Sequence, residues 1–223
     1  MSETIITVEG TFEHHRPAER GTLRVVAEFE GPDRQAVVTR TSHVHGALAA
    51  QAQQLLSPQA GPVTWWSADR MQVWSNRPWN KEGKQLPLVH HARVSLEVKF
   101  SDLGRLADLA QQLAAQDGVT IVGIDWALTE ATKSALVVDA RDRAVDDAVR
   151  KATAYARSLG LSSVRPVALA DPGMLGDETR PTAAVVAAPM ARGAAAPVNE
   201  RGIDLKPEDI TVSGHVHARF AAN

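Results

Sequence analysis

The chain has 223 residues, 44% of them hydrophobic and 22% charged, which is the composition of a globular protein with a substantial core. Its 24 basic and 26 acidic side chains are dispersed and give a formal net charge of −2, so neither a nucleic-acid surface nor an anionic-membrane surface is expected. The chain has no cysteine, which excludes disulfides, thiolate zinc sites and cysteine nucleophiles.

Two stretches near the N-terminus alternate apolar and polar residues, as strands with one buried face do. They span residues 4–12 and 23–30, and the turn-prone residues between them, including Pro17 and Gly21, predict that they pair as a hairpin. The next segment, 31–58, has helical apolar spacing with a proline near each end. We expect this helix to cover the hairpin.

The middle of the chain repeats the same kinds of pattern. Residues 63–74 and 89–100 alternate and predict a second hairpin with a long, polar connection. Three elements follow: a helix capped by Asp102 that ends at Gly118, a strand over 119–128, and the longest helix, from Thr129 to Leu159.

The longest helix carries a periodic apolar stripe that predicts its buried face. The interspersed charged residues, among them Arg141, Asp146 and Arg150, are expected to be solvated. The predicted buried stripe consists of Val138, Val145, Ala148, Val149, Ala152, Ala156 and Leu159.

The C-terminal part holds a strand at 164–170, a Pro/Ala-rich segment at 172–202 and a last strand at 209–220. We predict that 172–202 forms a long loop, since its composition cannot build a core. The last strand repeats the opening phrase: ITVEG, ending at Gly10, becomes ITVSG, ending at Gly214. The two terminal strands are therefore expected to pair, with these glycines at bends or bulges.

In wording and order, these segments resemble the SIMPL domain, a domain of unknown function. The resemblance covers nearly the whole chain and depends on the opening ITVEG, on VSLEVKFSDLGRLADLAQQL followed by GVTIVGIDWAL, on AVDDAVRKATAYARSLGL, and on the Pro/Ala-rich loop before ITVSGHVHARF. The family includes bacterial periplasmic and outer-membrane-associated immunogenic proteins and a mammalian kinase-associated adaptor.

The resemblance implies an α+β fold of about seven strands in antiparallel sheets backed by three helices. It also implies a tendency to form homo-oligomers and supplies no catalytic residue to carry over. We expect a single domain over 1–223, with two lobes as a further option: 1–60 with 205–223, and 61–171.

All eight histidines occur in close pairs, and one pair invites a metal-site hypothesis. Only His215 and His217 share a face by local geometry, since residues two apart on a strand point the same way. Zinc requires three or four ligands, and only His14 or His15 is expected to approach if the terminal strands pair. The favoured interpretation is a pair of surface histidines.

Four tryptophans, Trp65, Trp66, Trp74 and Trp79, lie within fifteen residues, while Trp126 stands apart. Since Trp65 and Trp66 point to opposite faces of a strand, at most one of them is expected in the local core. Core packing or self-association is the favoured role of the cluster, and ligand stacking is the alternative.

The chain shows no phosphate-binding glycine loop, nucleophile elbow or zinc-protease motif. Its N-terminus lacks the basic and apolar regions of a signal peptide, and its most apolar stretch, 183–190, is far too short to span a bilayer. We expect a cytoplasmic protein without a membrane span, although many bacterial relatives are exported.

The function predicted from these patterns is that of a non-enzymatic, self-assembling SIMPL-type protein, a homo-oligomer in envelope or stress physiology. No catalytic, cofactor-binding or metal-binding residue is assigned, and the protein partner is unknown. The alternative is a small-molecule or metal-binding protein, or an enzyme, that uses the Trp65–Trp79 cluster or His215 and His217.

Overall fold

The structure is a computed structural model that describes residues 3–81, 84–176 and 205–223. Within those ranges the chain forms three helices and eight strands, and all paired strands run antiparallel, which confirms the predicted α+β class. The elements in chain order are β1 (Thr4–Pro17), β2 (Arg20–Gly31), α1 (Arg34–Leu55), β3 (Val63–Ala68), β4 (Gln72–Asn76), β5 (Val89–Phe100), α2 (Leu103–Ala114), β6 (Val119–Ala127), α3 (Glu130–Ser158), β7 (Val164–Ala170) and β8 (Asp209–Ala222).

These elements form two compact units. One contains β1, α3, β7 and β8, and the other contains β2 to β6 with α1 and α2. The chain passes from one unit to the other after Pro17 and after Ala127. The lobes expected from the sequence, 1–60 with 205–223 and 61–171, place β1 and β2 together, whereas the units separate these two strands.

In the first unit, β8 is the central strand of a three-stranded sheet ordered β1-β8-β7. The terminal strands pair without interruption from Thr4 opposite Ala222 to Pro17 opposite Asp209, which confirms the pairing predicted from the repeated phrase. The predicted hairpin of the first two strands is wrong, because β2 pairs with β5 and β6 instead. Alternation marks a strand with one buried face but does not identify its neighbour.

Helix α3 covers one face of this sheet through alanines at every fourth position. The predicted stripe is correct for the alanines and wrong for Val138, Val149 and Leu159, which are 59%, 40% and 64% exposed. Side chains without a γ-carbon allow the helix axis to come close to the strands. The five fully buried alanines, each at most 2% exposed, are Ala140, Ala144, Ala148, Ala152 and Ala156.

The glycines of the repeated phrase are the other half of this contact. A Cβ atom on Gly10 would lie 2.0 Å from the carbonyl oxygen of Ala144, and one on Gly214 would lie 2.3 Å from that of Ala140. The β1–β8 register has no shift at either position, so the prediction of bends or bulges is wrong. Both glycines are needed because the helix backbone lies directly against the strands.

In the second unit, the sheet is ordered β3-β5-β2-β6, and β4 also pairs with β5. The predicted pairing of 63–74 with 89–100 is confirmed, but the first run is interrupted at residues 69–71 and forms β3 and β4. Helices α1 and α2 cover one face, with Phe100, Leu23 and Leu106 among the most buried side chains. Asp102 caps α2 as predicted, accepting hydrogen bonds from the Gly104 and Arg105 amides.

Most of the predicted loop 172–202 lies outside the described residues, which stop at 176 and resume at 205. The helices of the described part of the chain include none that is long and apolar enough to cross a membrane.

Adding one methyl group to either sheet glycine tests the close contact with α3. Because Gly10→Ala and Gly214→Ala each drive a Cβ into the helix backbone, each variant should lower the free energy of unfolding by about 1–3 kcal/mol. Gly46→Ala is the matched control, since Gly46 lies on α1 with nothing within 4 Å of an added Cβ. That control should gain roughly 0.5–1 kcal/mol in urea unfolding. Sheet-glycine variants as stable as the wild type would contradict the contact.

Candidate functional site

The tryptophan cluster divides between core and surface. Trp66 packs against the core beneath α1 and donates a hydrogen bond from Nε1 to Oε1 of Gln53 at 3.3 Å, so it is the one member of the Trp65–Trp66 pair that enters the core. Trp126 also packs against this core. In contrast, Trp65, Trp74 and Trp79 are 46%, 40% and 80% exposed.

Strand β4 holds its exposed tryptophan in a fixed position. The Trp74 ring stacks on the His91 ring of β5, with centroids 5.0 Å apart and planes 5° apart. Two side-chain hydrogen bonds reinforce the pairing, Ser75 Oγ with His90 Nδ1 at 2.6 Å and Asn76 Oδ1 with His91 Nε2 at 2.8 Å. An aromatic group on a rigid strand loses little entropy when it binds a partner.

The open face of the three-stranded sheet carries His215 and His217, which share that face as predicted. His215 Nδ1 lies 3.4 Å from a carboxylate oxygen of Glu9, and His217 Nδ1 accepts a hydrogen bond from the Gly173 amide at 3.3 Å. His15 is on the same face, but it pairs with Thr211, which is four residues before His215 on β8. His15 and His215 are therefore about 13 Å apart along the strands. Within the described residues no three His, Asp or Glu side chains are grouped to hold a metal ion.

His14 points to the opposite face, towards α3, and belongs to a cluster that the sequence did not predict. Its Nε2 donates to Oδ2 of Asp139 at 2.6 Å, and its ring meets the Phe12 ring edge-on with centroids 5.0 Å apart. Arg143 donates to the same Asp139 oxygen at 2.8 Å and lies over Phe12. Hydrogen bonds from Arg143 and then His14 lower the pKa of Asp139.

The remaining histidines lie on α1. His43 is exposed, and His45 is half-buried with its Nε2 shielded from solvent and without a hydrogen-bond partner among the described residues. The structure thus distributes the four sequence pairs over separate places, and His215 with His217 is the pair that faces one surface together.

A second unpredicted cluster closes the outer edge of β1. The Asp147 carboxylate accepts the Thr11 amide at 3.0 Å, and the Lys151 ammonium donates to the Glu9 carbonyl at 2.8 Å. Lys151 also pairs with Asp147 at 2.7 Å. Hydrogen bonds from Lys151 and from the Thr11 amide lower the pKa of Asp147 to about 2. Both main-chain groups at this point of the edge are therefore occupied by α3.

Two antiparallel sheets, each covered on one face by helix and open on the other, define an α+β protein whose surface features are sheet edges and open sheet faces. The SIMPL family model, described as a protein of unknown function (DUF541), matches residues 6–220, so the chain belongs to the SIMPL family. This confirms the resemblance noted from the sequence. No curated protein matches the chain.

Removing the charge of Asp147 tests the edge contact through its pH dependence. The pKa of the folded state is depressed, so the carboxylate contributes its full stability above the unfolded pKa near 4 and loses it as the pH falls towards 2. Asp147→Asn should therefore cost about 1–2 kcal/mol of unfolding free energy at pH 6 and progressively less below pH 4.

Asp146→Asn is the matched control, since Asp146 is the adjacent, exposed residue on the same helix. Its urea midpoint should stay within about 0.5 kcal/mol of the wild type. Equal effects of the two substitutions at pH 6, or a difference that does not shrink in acid, would refute the proposed role of Asp147.

Metal analysis tests the interpretation of the histidine pair. Two histidines with the next one about 13 Å away form too small a ligand set, so protein purified without a histidine tag should carry no stoichiometric zinc, nickel or copper. His217→Ala should leave the metal content unchanged. A stoichiometric metal that disappears in this variant would establish a metal site on this face.

Proposed function

We propose that the protein is a non-enzymatic, self-assembling member of the SIMPL family and that strand β4 with the segment ending at Trp79 forms its contact with a second copy. The observation that carries this proposal is the exposure of Trp74 and Trp79 beside an outer strand of the five-stranded sheet. Family resemblance suggests envelope or stress physiology as the setting. The cytoplasmic location stays a prediction.

The backbone of β4 supports pairing with another strand. Strands β3 and β4 lie along the same side of β5, and in the described residues no further strand pairs with them. The segment after α1 bonds only the first residue of β3, where Leu56 forms an isolated bridge with Val63. Their sequences, VTWWSA and QVWSN, contain no charged side chain, whereas charged residues are a common protection of sheet edges. A second β4, related by a twofold axis, is the occupant that this edge fits.

The other sheet edges are less suited to pairing. At the outer side of β1, Asp147 and Lys151 occupy main-chain groups. Strand β6 shows a register shift against β2, and β7 has both Pro166 and a register shift beside it. Bulges and prolines interrupt the ladder that an added strand would need.

The exposed tryptophans supply the free energy for such a contact. At roughly 25 cal/mol per Å² of apolar area, burying most of the Trp79 side chain is worth about 3 kcal/mol. Tryptophan is enriched among the residues that dominate binding at protein interfaces. Trp74 is already fixed by His91, so its burial requires little further ordering.

The two described carboxylates with clearly lowered pKa values have structural partners, and this supports the non-enzymatic part of the proposal. Asp139 and Asp147, whose pKa values are lowered, bind helix and strand partners in structural clusters. A lowered carboxylate pKa stabilises the ionised form and does not supply a general acid near neutral pH. The lowered pKa values of Asp139 and Asp147 are therefore accounted for by contacts that stabilise the fold.

Substitution of the exposed tryptophans tests the assembly surface. Trp79→Ser and Trp74→Ser each remove apolar area from the proposed contact, so each should lower the mass in solution to that of a smaller assembly or of the 23.9 kDa subunit. Light scattering after size-exclusion chromatography measures the mass, and circular dichroism checks that the subunit stays folded.

Tyr155→Ser is the control, because Tyr155 is an exposed aromatic residue, 55% accessible, that belongs to α3 and not to β4 or the segment after it. It should keep the mass of the wild type. An assembly that is indifferent to both tryptophan substitutions, or that dissociates with Tyr155→Ser alone, would place the contact elsewhere.

A further inference from the structure

A straight row of side chains crosses the open face of the five-stranded sheet, opposite the face that α1 and α2 cover. Trp65 on β3 is the register partner of Lys99 on β5. Lys99 is opposite Thr22 on β2, and Thr22 is opposite Asp125 on β6. With adjacent strands about 4.8 Å apart, these four residues span about 14 Å.

A shallow cavity lies over this row. Its volume of about 680 Å³ falls in the range of roughly 300–1,000 Å³ that is typical of small-molecule sites. Trp65, with 46% of its surface exposed, stands on the outer strand, and the cavity reaches Asp125 three strands away. The lining residues are Thr22, Thr64, Trp65, Glu97, Lys99 and Asp125.

The charges of this cavity favour a neutral, polar ligand. Lys99 and Glu97 are opposite in sign, and neither side chain has a hydrogen-bond or ion-pair partner among the described residues. The carboxylate of Asp125 pairs with the guanidinium of Arg24 at 3.2 Å. An anion would need a surplus of positive charge here, and an apolar ligand would leave these charged groups desolvated.

We propose that this row binds a neutral oligosaccharide. A pyranose ring has a face of C–H groups that stacks on an exposed indole, which is the arrangement Trp65 offers at one end. Its hydroxyls are both donors and acceptors, and the cavity supplies both partners: Glu97 beside the row accepts, Lys99 donates, and Thr22 does either. The row is longer than one sugar ring, so a linear oligosaccharide fits it better than a monosaccharide.

Binding of cellotetraose, maltotetraose and chitotetraose to the full chain tests this proposal by saturation-transfer NMR and calorimetry. At least one of the three should bind saturably with a dissociation constant below about 10 mM. Trp65→Ala should weaken binding about tenfold or more, because it removes the stacking surface. Glu97→Gln, which keeps the shape of the side chain, should weaken it severalfold with an unchanged urea midpoint.

Trp74→Ala is the matched control, because Trp74 is exposed to a similar degree on the same sheet face but lies at the other end of β5. All six lining residues belong to one subunit, so this variant should bind like the wild type even where it alters the mass of the assembly. The proposal is overturned if none of the sugars binds, if Trp65→Ala binds normally, or if Trp65→Ala and Trp74→Ala lose binding equally.

Discussion

The first unit depends on how closely α3 approaches the β1–β8 pair. Alanine and glycine are the smallest residues available. The buried alanines at every fourth position of α3 lie against the two glycines of the repeated phrase, where the helix crosses the strands. Apolar residues of the strands, such as Val8, Val216 and Phe220, fill the space around this line of contact. Larger residues on either side would push the helix away and expose that core, so the repeated glycines follow from helix packing.

This close approach also places polar groups of α3 against the rim of the sheet. Asp147 and Lys151 reach the outer side of β1 because the Ala144 and Ala148 turn lies directly on Gly10. One helix therefore both builds the core of the unit and protects its edge. The outer strand β3–β4 of the other sheet has no comparable ion pair on its edge among the described residues, and it is there that exposed tryptophans occur. The assembly proposal depends on this contrast: α3 occupies main-chain groups at the edge of β1, whereas β3 and β4 have no charged side chain to protect their edge.

Much of the fold follows from local patterns in the sequence, since the strands, the three helices and the Asp102 cap each have a local signal. The repeated ITVxG phrase even indicated a long-range pairing. The predicted hairpin of β1 with β2 was wrong because two amphipathic strands adjacent in sequence carry no mark of their partners. The predicted buried stripe of α3 includes valines because hydrophobic periodicity does not report how closely the helix packs on the sheet. Ala140 and Ala144 identify the buried face of α3 only once Gly214 and Gly10 are known to lie against them.

The candidate sites were less predictable for the same reason. The sequence marked Trp65 as unusual, but Lys99, Thr22 and Asp125 join it through the register of four strands, which no spacing in the chain reveals. The central functional claim, self-assembly, is tested most directly by the absolute mass of the wild-type chain in solution, measured by light scattering over a range of concentrations. The predicted result is a mass of two or more subunits, each of 23.9 kDa. A mass of one subunit at every concentration would contradict it.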